Sequence, residues 1–326
     1  MKSSVAVVSS VVAPGDVRGA GPAAVRGAGP APAENERTRL QIRTADFVTL
    51  TKPRLNFLVL ITTLGGMYIA APDGVPLSIL VHALVGTALV AGGAAALNQV
   101  WERETDGLMR RTRLRPIPAR RLRAADGAWF GTLMSAAGLI ELTWKVNPLA
   151  AAVAAATLVS YVFVYTPLKT RTSWSTLVGA VPGALPPVIG WAAATGRISI
   201  PAIVLFGIVF LWQMPHFLAI AWLYRDDYER ARIPLLPVLE PDGRRTGQQA
   251  LMYAAALWPV SLLPSILHIA DVPYIVVATV LGFGLIALSA QFARARTTKR
   301  ARHLFLYSIL YLPLLWSALV IDRLWS

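Results

Sequence analysis

Residues 199–222 read SIPAIVLFGIVFLWQMPHFLAIAW, without one Asp, Glu, Lys or Arg. As a helix rising 1.5 Å per residue, such a run spans the ~30 Å hydrocarbon core of a bilayer. Similar apolar segments recur at 55–71, 79–98, 127–144, 148–166, 174–195, 248–269, 272–292 and 303–321. Breaks between them fall at Pro72, Pro76, Pro148, Pro201 and Pro273, or at polar stretches. Lipid offers no hydrogen bonds to the backbone, so spans of this length have to be helical. The two-residue alternation of a transmembrane barrel is absent. The expected fold class is all-α: a polytopic nine-transmembrane-helix bundle, with residues 46–326 forming a single domain.

Composition agrees with that reading. Of the 326 residues, 55% are hydrophobic and only 15% charged, against about 25% charge in an ordinary globular chain. Mean hydropathy is +0.55, which excludes a soluble enzyme. The chain has no cysteine, so disulfides, thiolate metal sites and cysteine nucleophiles are excluded. A net charge of +14 would suggest nucleic acid in a soluble protein. Here 28 of the 31 Lys and Arg residues lie before the first span or in the links 99–126, 167–173, 223–247 and 293–302. A cytoplasmic N-terminus puts all of these on one side and leaves Lys145, Arg197 and Arg323 on the other. The charge is then a topology signal, N-in and C-out, and no nucleic-acid partner is needed. Residues 1–45 differ in composition and repeat Arg-Gly-Ala-Gly-Pro-Ala at 18–23 and 26–31. With so little to bury, they are expected to form a disordered N-terminal extension without chemistry.

Carboxylates are scarce near the bundle and concentrate in two of the links. In the first, Asn98, Glu102 and Asp106 recur every fourth residue, just before Arg111, Arg113 and Arg115. Four residues turn a helix by about 400°, so the three oxygen donors share one face. Mg²⁺ takes one or two carboxylates and completes its shell with phosphate oxygens and water, while arginine forks grip phosphate. A metal ion plus a polyphosphate is the expectation. The second link holds Asp226 and Asp227 as the 199–222 helix leaves the membrane on the same side, able to face the same diphosphate. A third, Tyr165-Thr166-Pro167-Leu168-Lys169-Thr170-Arg171, adds two cations there. Within the membrane, His216 in Trp212-Gln213-Met214-Pro215-His216 is an ionisable group, and such groups usually face a cavity. A transporter would carry its polar sites near the midplane of repeated, broken helices; here the acids cluster at one rim.

Together these stretches resemble the intramembrane prenyltransferase superfamily that makes ubiquinone, menaquinone and chlorophyll precursors. The resemblance rests on Thr51-Lys52-Pro53-Arg54, the 98–118 stretch, Tyr165 to Lys169, Gly183 to Trp191, Trp212 to Phe217, and Asp227-Tyr228 followed by Ile233-Pro234. The Pro186-Pro187-Val-Ile-Gly190-Trp191 and Trp212-to-His216 pieces are similar to its haem-farnesylating branch. Glu102 stands where the superfamily pattern has Asp, and Asp226-Asp227 replaces two aspartates four residues apart. The resemblance implies a membrane enzyme, placed in a bacterial inner membrane or, alternatively, a mitochondrial one. Its substrates would be farnesyl diphosphate and haem B, or an aromatic or quinone precursor as acceptor. It implies Mg²⁺ held by Asn98, Glu102, Asp106, Asp226 and Asp227, and substrate contacts from Arg111, Arg115, Tyr165, Lys169, Arg171 and His216. Partners implied are the lipid bilayer and contact with haem A synthase or terminal oxidase assembly.

Overall fold

A computed structural model describes residues 43–71 and 73–325. The expected N-terminal extension therefore lies outside the described residues, except for its last three positions. These begin a short helix, α1, over 43–50, which is a correction to the expectation of disorder there. The physical reason is an anchor at its middle and another at its C-terminal end. Arg121 grips both carboxylate oxygens of Asp46 at 2.9–3.0 Å, and Leu50 is fully buried.

The long helices follow in order: α2 (Pro53–Ala70), α3 (Leu77–Trp101), the short α4 (Arg103–Leu108) and α5 (Ala124–Lys145). Next come α6 (Pro148–Val159), a π-turn over Ser160–Tyr165, α7 (Thr166–Leu168), α8 (Ser175–Ala184) and α9 (Pro186–Thr195). Then α10 (Ile200–Leu223), α11 (Arg225–Arg230), α12 (Leu236–Leu239), α13 (Arg244–Ile266), α14 (Val272–Ala295) and α15 (Thr298–Trp325) complete the chain. Proline opens α2, α6 and α9, where the first turn has no use for its missing N–H. Asn147 caps α6 by accepting from the Ala150 N–H at 2.8 Å, and Gly196 ends α9 with φ of 66°.

Among the described residues, eight stretches are long and apolar enough to cross a membrane: α2, α3, Pro148–Leu168, Ser175–Thr195, α10, α13, α14 and α15. Each matches an expected segment. The ninth, expected at 127–144, is also a helix, α5, of 22 residues. Asp126, Glu141 and Lys145 fall within it, and it is not among the eight. It packs extensively along α3, where Glu141 meets His82 at 2.6 Å.

One large core lies where α10, α13, α14 and α15 converge, with Leu257, Tyr274, Phe292 and Tyr311 fully buried. Tyr274 donates to the Ser261 carbonyl at 2.7 Å, so its phenol is satisfied away from water. The flanks expose Leu77, Trp144, Ile203, Val280 and Leu310, side chains suited to a hydrocarbon solvent. The chain is a membrane protein.

Helices α2 and α9 meet backbone to backbone. A Cβ at Gly190 would lie 1.9 Å from the Thr63 carbonyl oxygen, and one at Gly66 would lie 2.2 Å from that of Pro187. Small residues permit such close approach in lipid, where dispersion drives helix association. Gly190→Ala therefore has to push α9 off α2. It is expected to lower stability by about 2 kcal/mol, read as a lower melting temperature in detergent; an unchanged melt would contradict the contact.

Candidate active site

The helix carrying Asn98 does not run uninterrupted to Asp106: α3 ends at Trp101, and Glu102 joins it to α4. The i to i+4 bonds persist through the joint, from Glu102 N–H to Asn98 at 2.9 Å and from Asp106 N–H to Glu102 at 2.8 Å. Asn98, Glu102 and Asp106 therefore stay on one face and line a single cavity of about 510 Å³. That lies within the 300–1,000 Å³ typical of ligand sites. Arg111, Arg115, Tyr165, Lys169 and His216 line it too.

Each oxygen donor is met by a cation from elsewhere in the chain. Lys169 donates to Glu102 at 2.9 Å, Arg115 to Asp106 at 2.6 Å, and Lys52 to Asn98 Oδ1 at 2.8 Å. Asn98 Nδ2 donates to the Thr166 hydroxyl at 3.1 Å, which fixes the amide orientation. Arg111 donates to the Tyr228 hydroxyl at 3.2 Å and lies over the rings of Tyr224 and Tyr228. Four cations against two carboxylates leave the rim with an excess of positive charge. That field suits a polyanion.

Burial and neighbours together set the charge states. Burial pushes the Lys52 ammonium down to about 8, helped by Arg115 and opposed by Glu102. Burial works against the Glu102 carboxylate, yet Lys169 and Lys52 beside it hold its pKa below the usual carboxylate value. For Lys169, burial is outweighed by Tyr165 and Glu102, so its pKa is held above the ordinary lysine value.

The Pro148–Leu168 span is shaped around this site. At Ser160–Tyr165 it loosens into a π-turn, a feature often found at functional sites. Pro167 has no N–H to donate, and the Tyr161 carbonyl accepts both the Thr166 N–H and, at 2.8 Å, the Thr166 hydroxyl. Tyr161 and Tyr165 are stacked at 5.6 Å and both line the cavity. Deeper in, Gln213 donates to the carbonyls of Ala180 and Val209, joining α8 to α10.

Three expected site residues lie outside the cavity walls. Asp226 is exposed beside Arg225, and Arg171 is exposed at the end of its link. Asp227 is buried but committed to the Arg230 guanidinium and the Arg110 N–H, which holds the 109–110 turn in place. Among the described residues no three His, Asp or Glu side chains gather as a metal cluster. A divalent cation still fits at Asp106: its Oδ1 is buried without a protein partner, with Glu102 and Asn98 lining the same wall. A set so short of oxygens needs substrate phosphate to complete its shell. Lys52, Tyr161 and Tyr228 are additions to the expected set. Lys52 had one sequence signal, its place directly before Pro53 at the first span, but a lysine there reads first as a topology charge.

The family model described as the UbiA prenyltransferase family matches residues 59–314. The chain belongs to that family. A protein of Solibacter usitatus (strain Ellin6076) named protoheme IX farnesyltransferase is 47% identical over 287 residues, covering 85% of this chain and 98% of that protein. One of the same name from Myxococcus xanthus (strain DK1622) is 44% identical over 280 residues, covering 86% and 95%. Among solved structures, a digeranylgeranylglyceryl phosphate synthase superposes with a TM-score of 0.75 at 14% identity, covering 89% of this chain and all of that one. A UbiA homologue from Archaeoglobus fulgidus bound to GPP and Mg²⁺ gives 0.61 at 14% identity, covering 84% and 99%. These two likenesses establish the fold.

The Glu102–Lys169 pair is nearly dry, with 7% and 13% of the side chains exposed. Lys169→Met strands a buried carboxylate and is expected to cost about 3 kcal/mol. Adding Glu102→Gln should restore most of that stability, because the uncompensated charge is then gone. A denaturation series in detergent checks this; additive losses in the double variant would show that the two groups do not interact.

Proposed function

We propose that this chain transfers the farnesyl group of farnesyl diphosphate to a vinyl group of haem B, yielding haem O and diphosphate. The observation that carries the reading is one cavity joining a cationic rim to an aromatic floor at His216. The likeness to the two protoheme IX farnesyltransferases supports this choice of substrates.

Lys52, Arg111, Arg115 and Lys169 bind the diphosphate and stabilise the charge that develops as the allylic C–O bond breaks. Asn98, Glu102 and Asp106 would hold Mg²⁺, which supplies further positive charge to the leaving group. Lys169 keeps Glu102 ionised, and Arg115 holds Asp106 in orientation, until the substrate arrives. The π electrons of the haem vinyl group form the new bond to the farnesyl carbon. Water then adds to the remaining cationic carbon and loses a proton, leaving the hydroxyethylfarnesyl chain.

The same reading makes α5 a ninth span in a bacterial cell membrane, with the N-terminus cytoplasmic and the C-terminus outside. Its support is the charge asymmetry of the links and the pairing of α5's acids, Asp126 with Arg123 and Glu141 with His82.

Purified protein given farnesyl diphosphate with either haem B or 4-hydroxybenzoate is expected to add farnesol's mass to haem alone; a farnesylated hydroxybenzoate would overturn the assignment. EDTA should stop turnover and added Mg²⁺ restore it. Asp106→Asn keeps the side-chain shape and should cut turnover at least about a hundredfold. Activity near wild type in that variant would remove Asp106 from the site.

A further inference from the structure

His216 is held in a way that substrate packing alone does not require. Its imidazole is stacked on Trp212 at 5.2 Å and faces Phe305 at 5.2 Å. One ring edge is also occupied, since Nδ1 lies 2.8 Å from the Ser308 hydroxyl. Ser308 and the rings around His216 come from α10 and α15, which Trp212 further pins by donating to the Ser308 carbonyl at 2.7 Å. Only the Nε2 edge is left for the cavity that His216 lines, and among the described residues Nε2 has no hydrogen-bond partner.

The tautomer follows from counting hydrogens. A serine hydroxyl has one proton, and Ser308 gives it to the Phe305 carbonyl at 2.7 Å. Towards His216 the same oxygen can only accept. Nδ1 therefore carries the imidazole proton, and Nε2 presents a lone pair to the cavity. That is the arrangement of a metal-ligating histidine, whose second nitrogen donates to an outer partner that fixes ring and tautomer. His216 lies seven residues before the end of α10, about 10 Å below the charged end. The metal it meets is therefore separate from one held by Asp106.

We propose that Nε2 of His216 is an axial ligand to the iron of the porphyrin acceptor, and that Ser308 is the positioning residue that holds it in the ligating tautomer. The inference rests on the haem acceptor proposed above. It gives the acceptor a fixed anchor: the iron is held from one side, and the porphyrin plane lies across the imidazole edge, with its vinyl groups kept in the cavity. No covalent step is added, only an Fe–N bond made and broken as substrate enters and product leaves.

The test uses the full-length chain in lipid nanodiscs, titrated with ferric protohaem IX and with metal-free protoporphyrin IX. Wild type should give the optical and EPR signature of an imidazole-ligated haem and prefer haem to the free porphyrin by about tenfold or more. His216→Ala should lose the signature and the preference, and added imidazole should bring the signature back. Ser308→Ala should weaken haem binding about tenfold and alter the EPR signal, with farnesyl diphosphate binding unchanged. If wild type farnesylates haem B while His216→Ala keeps the wild-type spectrum, the ligation is overturned and the acceptor stands. If His216→Ala does not fold, Ser308→Ala decides, and unchanged haem affinity and EPR signal overturn the proposal. If wild type makes no product from haem B, the acceptor falls and this inference falls with it.

Discussion

Two carboxylates at the joint of α3 and α4 have to be matched by cations where water is scarce. Glu102 is 7% exposed and Asp106 not at all. Removing either partner cation would leave a buried charge whose desolvation is not offset. Their partners come from different parts of the chain, Arg115 from the loop after α4 and Lys169 from just beyond the Pro148–Leu168 span. Satisfying these charges therefore closes the loop over α3 and draws the π-turn towards it. The same requirement fixes Tyr161 and Tyr165 at the cavity wall, because Thr166 is tied at once to Asn98 and to the Tyr161 carbonyl.

From that rim the cavity changes character with depth. Charged and phenolic groups give way to Gln213, Trp212 and His216 on α10, with Ile189, Val209 and Leu312 beside them. An amphiphile with a charged head and an isoprenoid tail has the same gradient. Affinity for the head comes from charge, and affinity for the tail from apolar area removed from water.

Much of this was legible in the chain itself, and the exceptions have physical causes. The spans could be read because length and the absence of charge leave no other backbone solution in lipid. Asn98, Glu102 and Asp106 could be placed on one face because helical periodicity is local. Asp226 and Arg171 belong to the right links but sit outside the cavity, since local sequence gives the density of charge and not its direction. Asp227 was visible as an acid, yet its bond to the Arg110 N–H joins residues 117 positions apart. Ser308, 92 residues from His216, carried no signal at all. The helix at 43–50 escaped notice because its anchor, Arg121, lies 75 residues beyond Asp46.

On the proposed chemistry the cavity also has to leave a carbocation intact until the intended acceptor meets it. Lysine attacks such a centre only when its nitrogen is deprotonated. Glu102 keeps the Lys169 ammonium protonated, and Lys52, with its pKa near 8, retains its proton at neutral pH in most molecules. Tyr161 and Tyr165 present stacked aromatic faces, which stabilise positive charge through the ring quadrupole without forming a bond. The ion pairs that hold the rim together therefore also remove the competing nucleophiles. Carboxylates paired to cations are weak traps for the same reason, their lone pairs being engaged by Arg115 and Lys169. The electrophile is left with the apolar end of the cavity, where the vinyl group of an anchored porphyrin would meet it.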